Sequence, residues 1–203
     1  MSPETQILIH DIDAKLSKTA DSKNSEFLRK IADLFLDSAK MLSEEQVALF
    51  DDVMLRLIKN VEQAALVELS ARLAPVSNAP PNVVAHLACE DRLAIAVPLL
   101  EFSPALTEQA LAKAAATKGQ KHLLLIAGRT GLGEAVTDIL FERGNSEVAL
   151  KTISNPDARV SELGFVKLIS RAKNDKPLAV AIANRNDMPP ELEPFLKLAL
   201  ALT

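Results

Sequence analysis

The stretch from Gln120 to Leu140, QKHLLLIAGRTGLGEAVTDIL, decides how the chain folds. It contains a short apolar run, then three glycines within six positions, and then an amphipathic segment. An apolar strand that leads into a glycine-rich turn and a helix is the outline of a nucleotide-phosphate loop. Two short helices joined by a turn would give the same outline, so the surrounding sequence has to distinguish the two.

The surrounding sequence contains this arrangement four times. In each copy a short apolar helix candidate precedes a turn-type cluster and a second, amphipathic helix. The four second segments are SPALTEQAL from residue 103, RTGLGEAVTDIL from 129, NPDARVSELGFVKL from 155 and RNDMPPELEPFLKL from 185. Their marker residues Leu106, Leu132, Val160 and Met188 lie 26, 28 and 28 residues apart. Neither helix of such a pair could bury its apolar face alone, so we expect the pairs to stack as a short α-solenoid.

The composition also favours helices. Alanine and leucine dominate, tryptophan and tyrosine are absent, and 48% of the 203 residues are hydrophobic. Alanine and leucine enter helices at little cost, whereas strands prefer β-branched and aromatic residues. The sequence therefore predicts an all-α fold, in which an N-terminal helical hairpin or bundle is followed by a short HEAT-like α-solenoid of about four helix pairs.

The charge and hydropathy patterns argue against two kinds of partner, nucleic acids and membranes. The net charge is −4, and residues 1–75 hold 9 basic against 13 acidic side chains, while the rest of the chain holds 14 of each. Nucleic-acid binding needs a basic footprint, which this chain lacks. We find no signal peptide and no apolar run of 18 residues, so we expect a cytoplasmic protein without a membrane partner.

The N-terminal third predicts three boundaries. Ser43 and Gln46 form a capping-box pattern, and an apolar period of three or four residues then continues from Val47 to Leu73. We expect residues 1–75 to be a helical region with one long helix that ends near residue 74. We expect a proline-rich linker over 76–82 and HEAT-like repeats over 83–203. An acidic hairpin at the N-terminus would pack on the rest of the protein or form a homodimer surface.

The segments that carry the repeat also carry a resemblance. The matching features are the LAP…APP pattern, the acidic turn at Glu90 and Asp91 before AVPLL, the Ser103-Pro104 pair, AVTDIL and NPDAR. In these features the chain resembles a bacterial domain family of unknown function, known mainly from alphaproteobacteria. The similarity covers about residues 26–195. The resemblance implies HEAT-like helical repeats and, by analogy, a role in protein–protein interaction. It implies no catalytic residues.

The sequence contains no strong motif for a catalytic or metal site. The glycines Gly128, Gly131 and Gly133 fit neither the Rossmann nor the P-loop spacing, and no second strand follows them. His86 and Cys89 share a helix face, but one such pair cannot complete a zinc site. His10 beside Asp11 suggests a phosphoacceptor, without any ATP-binding sequence near it. We therefore predict no catalytic residue, no cofactor and no metal, and expect the adjacent acids Glu44-Glu45 and Asp51-Asp52 to form a solvated face.

One set of residues suggests an interaction site. Arg129 and Arg185 occupy the same place in the repeat unit, with Arg159 slightly offset between them. Equivalent positions of a solenoid align along one edge, so these arginines predict a basic edge that binds an acidic protein partner. The predicted function is a non-enzymatic scaffold or adaptor, in bacterial signalling for example. Two alternatives stay open: a nucleotide- or cofactor-binding enzyme using the Gly128–Gly133 loop, and a phosphotransfer or signalling dimer acting through the N-terminal hairpin.

Overall fold

The computed structural model describes residues 21–202, and all regular structure in this range is helical. The all-α prediction is therefore confirmed for these residues, while the suggested phosphoacceptor His10 lies outside them. The helices are α1 Asp21–Ser38, α2 Glu44–Leu57, α3 Gln63–Leu73, α4 Pro81–Ala88, α5 Leu93–Phe102, α6 Glu108–Thr117, α7 Gln120–Ala127, α8 Glu134–Arg143, α9 Ser146–Ile153, α10 Glu162–Ala172, α11 Lys176–Ala183 and α12 Glu193–Leu202. Single 3-10 turns cover Ala39–Met41, Ile58–Asn60 and Pro190–Leu192.

Side-chain caps explain where several helices begin. The predicted capping box of α2 is present, since Ser43 accepts from the Gln46 N–H and the Gln46 side chain accepts from the Ser43 N–H. The side chains that cap α6, α9, α10 and α11 are those of Thr107, Asn145, Ser161 and Asp175. Each oxygen satisfies one of the N–H groups that a helix leaves unpaired in its first turn.

The single long helix predicted to end near residue 74 is wrong. The chain forms α2 and α3 instead, with the 3-10 turn and an extended Glu62 between them. Two buried side chains of α1 hold this break: Asn24 Nδ2 donates to the Asn60 carbonyl at 3.1 Å, and Ser25 Oγ accepts from the Glu62 N–H at 3.1 Å. These bonds satisfy backbone groups that an unbroken helix would pair internally, so the apolar period continues across a turn.

The first compact unit ends at Leu106 and stacks its helices in two alternating layers. Helices α1, α3 and α5 contact in sequence, and α2 contacts α4. Across the layers α1 contacts α2, and α4 contacts both α3 and α5. Its core includes Phe35, which meets Phe50 edge to face at 5.3 Å between ring centres. Of residues 76–82, predicted as a linker, residues 76–80 lie between α3 and α4 inside this unit, and 81 and 82 are the first two residues of α4.

The second unit begins at Thr107 and has the same alternation over a longer run. Helices α6, α8, α10 and α12 form one layer, and α7, α9 and α11 form the other. Buried residues of α8 to α12 form one cluster that includes Phe141, Phe165 and Leu168. All four predicted helix pairs are present as helices, namely α5–α6, α7–α8, α9–α10 and α11–α12.

Candidate interaction site

The three arginines of the predicted basic edge have different surroundings. Each lies in a turn between the layers, after α7, before α10 and after α11 respectively. Arg129 is largely buried, and this burial lowers the pKa of its guanidinium. The Arg159 side chain is exposed, while its backbone N–H donates to the Leu132 carbonyl at 2.9 Å. The Arg185 side chain is only 10% exposed. Of the three, Arg159 alone therefore presents its guanidinium openly to solvent.

Arg185 clamps one turn to the preceding one. Its two terminal nitrogens donate to the carbonyls of Asn155 and Ala158, both at 2.8 Å. The same guanidinium binds both carboxylate oxygens of Asp187, at 2.7 and 2.5 Å. This bidentate contact lowers the pKa of Asp187. Since the donors of Arg185 are engaged within the chain, its position in the repeat already has a structural explanation.

The same kind of clamp occurs one repeat earlier with a different side chain. Asn155 Nδ2 donates to the Ala127 carbonyl at 3.0 Å and to the Arg129 carbonyl at 2.7 Å. Each turn is thus tied through a side chain to the backbone of the turn before it. The position of Arg185 in the repeat reflects this stacking of turns, and the binding role of the basic edge stays a prediction.

A second pair of arginines, absent from the sequence prediction, joins the C-terminal ends of α6, α8 and α10. Arg143 at the end of α8 donates to the carbonyls of Ala115 and Lys118, at the end of α6. Arg171 in the last turn of α10 donates to the Phe141 carbonyl in the last turn of α8 at 2.8 Å. A cation there satisfies carbonyls that the helix leaves unpaired. The available sequence signal was their separation of 28 residues, the period of the repeat.

The glycine loop is a turn between α7 and α8, as the repeat predicted. Gly131 has a φ of +67°, which residues with a side chain rarely adopt. This backbone conformation explains why a glycine occupies the position. Gly133 caps α8 without a side chain, and a Cβ at this position would collide with the carboxylate of Glu108. An acid therefore already lies at the helix N-terminus where a phosphate would bind, so the loop gives little support to a phosphate site.

The two histidines within residues 21–202 and the cysteine differ in their exposure. His86 is exposed and lies 3.9 Å from Glu90, its neighbour one helical turn away. His122 is buried at the start of α7, and Cys89 is half-buried. Within residues 21–202, no three histidine, cysteine or acidic side chains come close enough together to hold a metal ion.

The acidic pairs divide into exposed and buried members. Glu44, Glu45 and Asp52 are exposed, as expected of a solvated face. The expectation is wrong for Asp51, which is buried and caps the N-terminus of α4. Its carboxylate accepts from the Val83 N–H at 2.8 Å and from the backbone and side-chain nitrogens of Asn82 at 3.2 and 2.6 Å. Burial is tolerated because three donors replace the lost water.

An apolar groove lies on the outer side of α10 and α12. It has a volume of about 300 Å³. Its lining consists of Val166, Ile169, Ser170, Lys173, Leu192 and Phe195. Leu163 on α10 and Leu198 on α12 are also large exposed apolar residues. Large apolar side chains exposed together on two adjacent helices make this surface the candidate interaction site.

Sequence alignment of the repeats does not predict this groove. Aligning FVKL of one copy with FLKL of the next gives Phe195 the place of Phe165, which is fully buried. In the structure α12 begins one residue later relative to this alignment, so Leu196 takes the buried place and Phe195 is 59% exposed. A shift of one residue rotates a helical side chain by about 100°. The exposed phenylalanine is a consequence of the turn that precedes α12.

The comparisons with known proteins agree with a bacterial domain of undefined role. The model of a family described as "Uncharacterised protein conserved in bacteria (DUF2336)" matches residues 95–193, just under half of the chain. This match confirms the predicted resemblance to a bacterial family of unknown function. No curated protein and no solved structure matches the chain. Among residues 21–202, no helix is both long and apolar enough to cross a bilayer.

Proposed function

We propose that this protein is a non-enzymatic scaffold that binds a protein partner through the groove between α10 and α12. The observation that carries the proposal is the exposure of Val166 and Phe195 on adjacent helices, next to the further exposed residues Leu163 and Leu198. Exposed apolar side chains lose water on binding, which supplies most of the free energy of protein association.

The packing below the groove supports binding at a low entropic cost. Ile169 is buried beneath the groove, and the clamp from Arg171 to the Phe141 carbonyl joins α10 to α8. A surface on helices that are already fixed loses little conformational freedom when a partner binds. We further propose that the two-layer stack is a HEAT-like repeat acting in the bacterial cytoplasm, with signalling as the context of the adaptor.

The test is site-specific photo-crosslinking in bacteria that express the full chain. p-Benzoylphenylalanine replaces Phe195 in one variant and Leu34 in a matched control, since both residues are 59% exposed apolar side chains. We expect a covalent adduct with another protein from position 195 and none from position 34. Equal labelling from both positions, or no adduct from position 195, would contradict the proposal.

The enzyme alternative has its own measurement. A cofactor site at Gly128–Gly133 predicts a higher melting temperature with NAD(P), ATP or an acyl-CoA. We expect no change with any of them, because Glu108 lies against Gly133 at the start of α8. A saturable increase that Gly133→Ala abolishes would instead favour the enzyme.

A further inference from the structure

We propose that the segment bound in the groove is an amphipathic α-helix with a carboxylate placed to meet Lys173. This inference rests on the proposed function and specifies the chemistry of the partner. Three features of the groove carry it: the spacing of its apolar side chains, the position of its one lysine, and the pairing of the lysines nearby.

The apolar side chains have the spacing of a helix-binding surface. Val166, Ile169 and Lys173 follow one another along α10 at intervals of three and four residues. From Val166 to Lys173 the helix rises about 10 Å at 1.5 Å per residue. Phe195 and Leu192 form the opposite wall from α12 and the turn before it. A second helix offering apolar residues at i, i+3 or i+4, and i+7 covers the same length.

The charge in the groove lies at one end. Lys173 immediately follows α10, and it is the charged residue of the lining. The neighbouring lysines are engaged, since Lys167 pairs with Glu142 at 3.1 Å and Lys197 pairs with Glu193 at 3.3 Å. Within residues 21–202 the structure pairs Lys173 with no carboxylate. A partner acid one turn beyond its last apolar anchor would therefore meet this ammonium group.

The geometry favours a helix over an extended peptide. An extended peptide can satisfy its backbone groups by adding a strand to a sheet edge, and no strand occurs within residues 21–202. A helix satisfies its own backbone groups, so it needs from the groove only apolar contacts and the one charge. Lys173 then sets the direction in which the helix lies.

The experiment is a selection from a displayed library of helical peptides against the intact 203-residue chain. The library fixes leucine at i, i+4 and i+7 and randomises the remaining positions. Selected peptides are then measured by fluorescence anisotropy against the wild-type chain, Phe195→Glu, Lys173→Glu and the control Leu34→Glu. The substituted side chains are exposed, and far-UV circular dichroism verifies that each variant is folded.

We expect enrichment of Asp or Glu at one position beyond the last leucine. Phe195→Glu should weaken binding at least tenfold, Leu34→Glu should leave it unchanged, and Lys173→Glu should weaken it about threefold, as expected of an exposed ion pair. A peptide with Lys in place of the selected acid should bind Lys173→Glu better than it binds wild type.

Three results would overturn the inference. One is a selected set without an acidic position, and another is binding that Lys173→Glu leaves unchanged. Either result, combined with a strong effect of Phe195→Glu, would leave the groove as a binding site for a partner of different chemistry. The third is a dimer of the chain that Phe195→Glu dissociates, which would assign the groove to a second copy. Failure of the proposed function would be detected in the separate crosslinking experiment, as the absence of an adduct from position 195 in cells.

Discussion

The two compact units stack their helices in the same alternating order, yet several of their arginines join neighbouring helices with different chemistry. In the first unit, exposed ion pairs connect α1 to α3, with Arg29 bound to Glu68 at 2.7 Å and Arg72 bound to Asp33 at 2.5 Å. In the second unit, arginine side chains donate to backbone carbonyls of the preceding repeat, as Arg185 does to Asn155.

The difference shows how a repeat can be held together with few specific side chains. Every helix of a stack ends with unpaired carbonyls, so a donor at the same repeat position always finds an acceptor. Arg143 and Arg171 use this regularity. An ion pair needs two matching side chains and is worth little when exposed. The comparison predicts a graded set of effects on stability.

The largest effect is expected at Asp51. Asp51→Ala removes a buried acceptor from the first turn of α4 and leaves the Val83 N–H unpaired, which should lower the free energy of unfolding by about 2–3 kcal/mol. Urea unfolding followed by far-UV circular dichroism measures this, since the chain has no tryptophan or tyrosine. The exposed neighbour provides the control, because Asp52→Ala should cost less than about 0.5 kcal/mol. Similar losses in both variants would show that burial of Asp51 does not matter.

The next largest effect is expected at the clamp of the second unit. Arg185→Met keeps an unbranched side chain but removes the donors to the Asn155 and Ala158 carbonyls, and should cost about 1–2 kcal/mol. Arg159→Met, at the exposed member of the predicted basic edge, should cost less than about 0.5 kcal/mol. If the two variants were equally stable in the same urea titration, the clamp would contribute nothing and both arginines would be open to a binding role.

A smaller, pH-dependent effect is expected at Asp187. Its hydrogen bonds to Arg185 lower its pKa in the folded protein below the ordinary value of 3.8. The carboxylate therefore stabilises the fold fully above pH 3.8, and this contribution is lost as the pH falls through the lowered pKa. Asp187→Asn should reduce stability at pH 7 by about 0.5–1 kcal/mol, and the difference from wild type should shrink below pH 3.8. A difference that stays constant down to pH 2 would contradict this linkage.

The smallest effect is expected for the ion pairs of the first unit. Arg72→Met should cost less than about 0.5 kcal/mol in low salt, and this cost should disappear in 1 M NaCl because salt screens exposed charges. Arg185→Met should keep most of its cost in the same salt, since its two carbonyl acceptors are uncharged and salt screens only its contact with the exposed Asp187 carboxylate. Equal salt dependence of the two variants would remove the distinction between the two units.

The sequence predicted the repeated helix pairs and missed contacts between residues that lie far apart along the chain. Four aligned segments were enough to place the helix pairs of residues 92–202 and to interpret the glycine loop as a turn. The break between α2 and α3 could not be predicted, because Asn24 and Ser25 lie 36 and 37 residues from the groups they bind. In the sequence nothing distinguishes Asp51 from an exposed acid, because its burial depends on the packing of α4 against it. The basic edge was inferred from spacing that also arises from clamps within the chain.

The turn before α12 has a consequence beyond its own geometry. Helices α8, α10 and α12 begin at Glu134, Glu162 and Glu193, so the last interval is three residues longer than the one before it. With that length, Phe195 faces solvent and Leu196 enters the core. The length of the connection before a helix therefore decides which of its apolar side chains are exposed and which are buried. Insertions or deletions in such connections offer evolution a way to create or erase binding surfaces without altering a single helical residue.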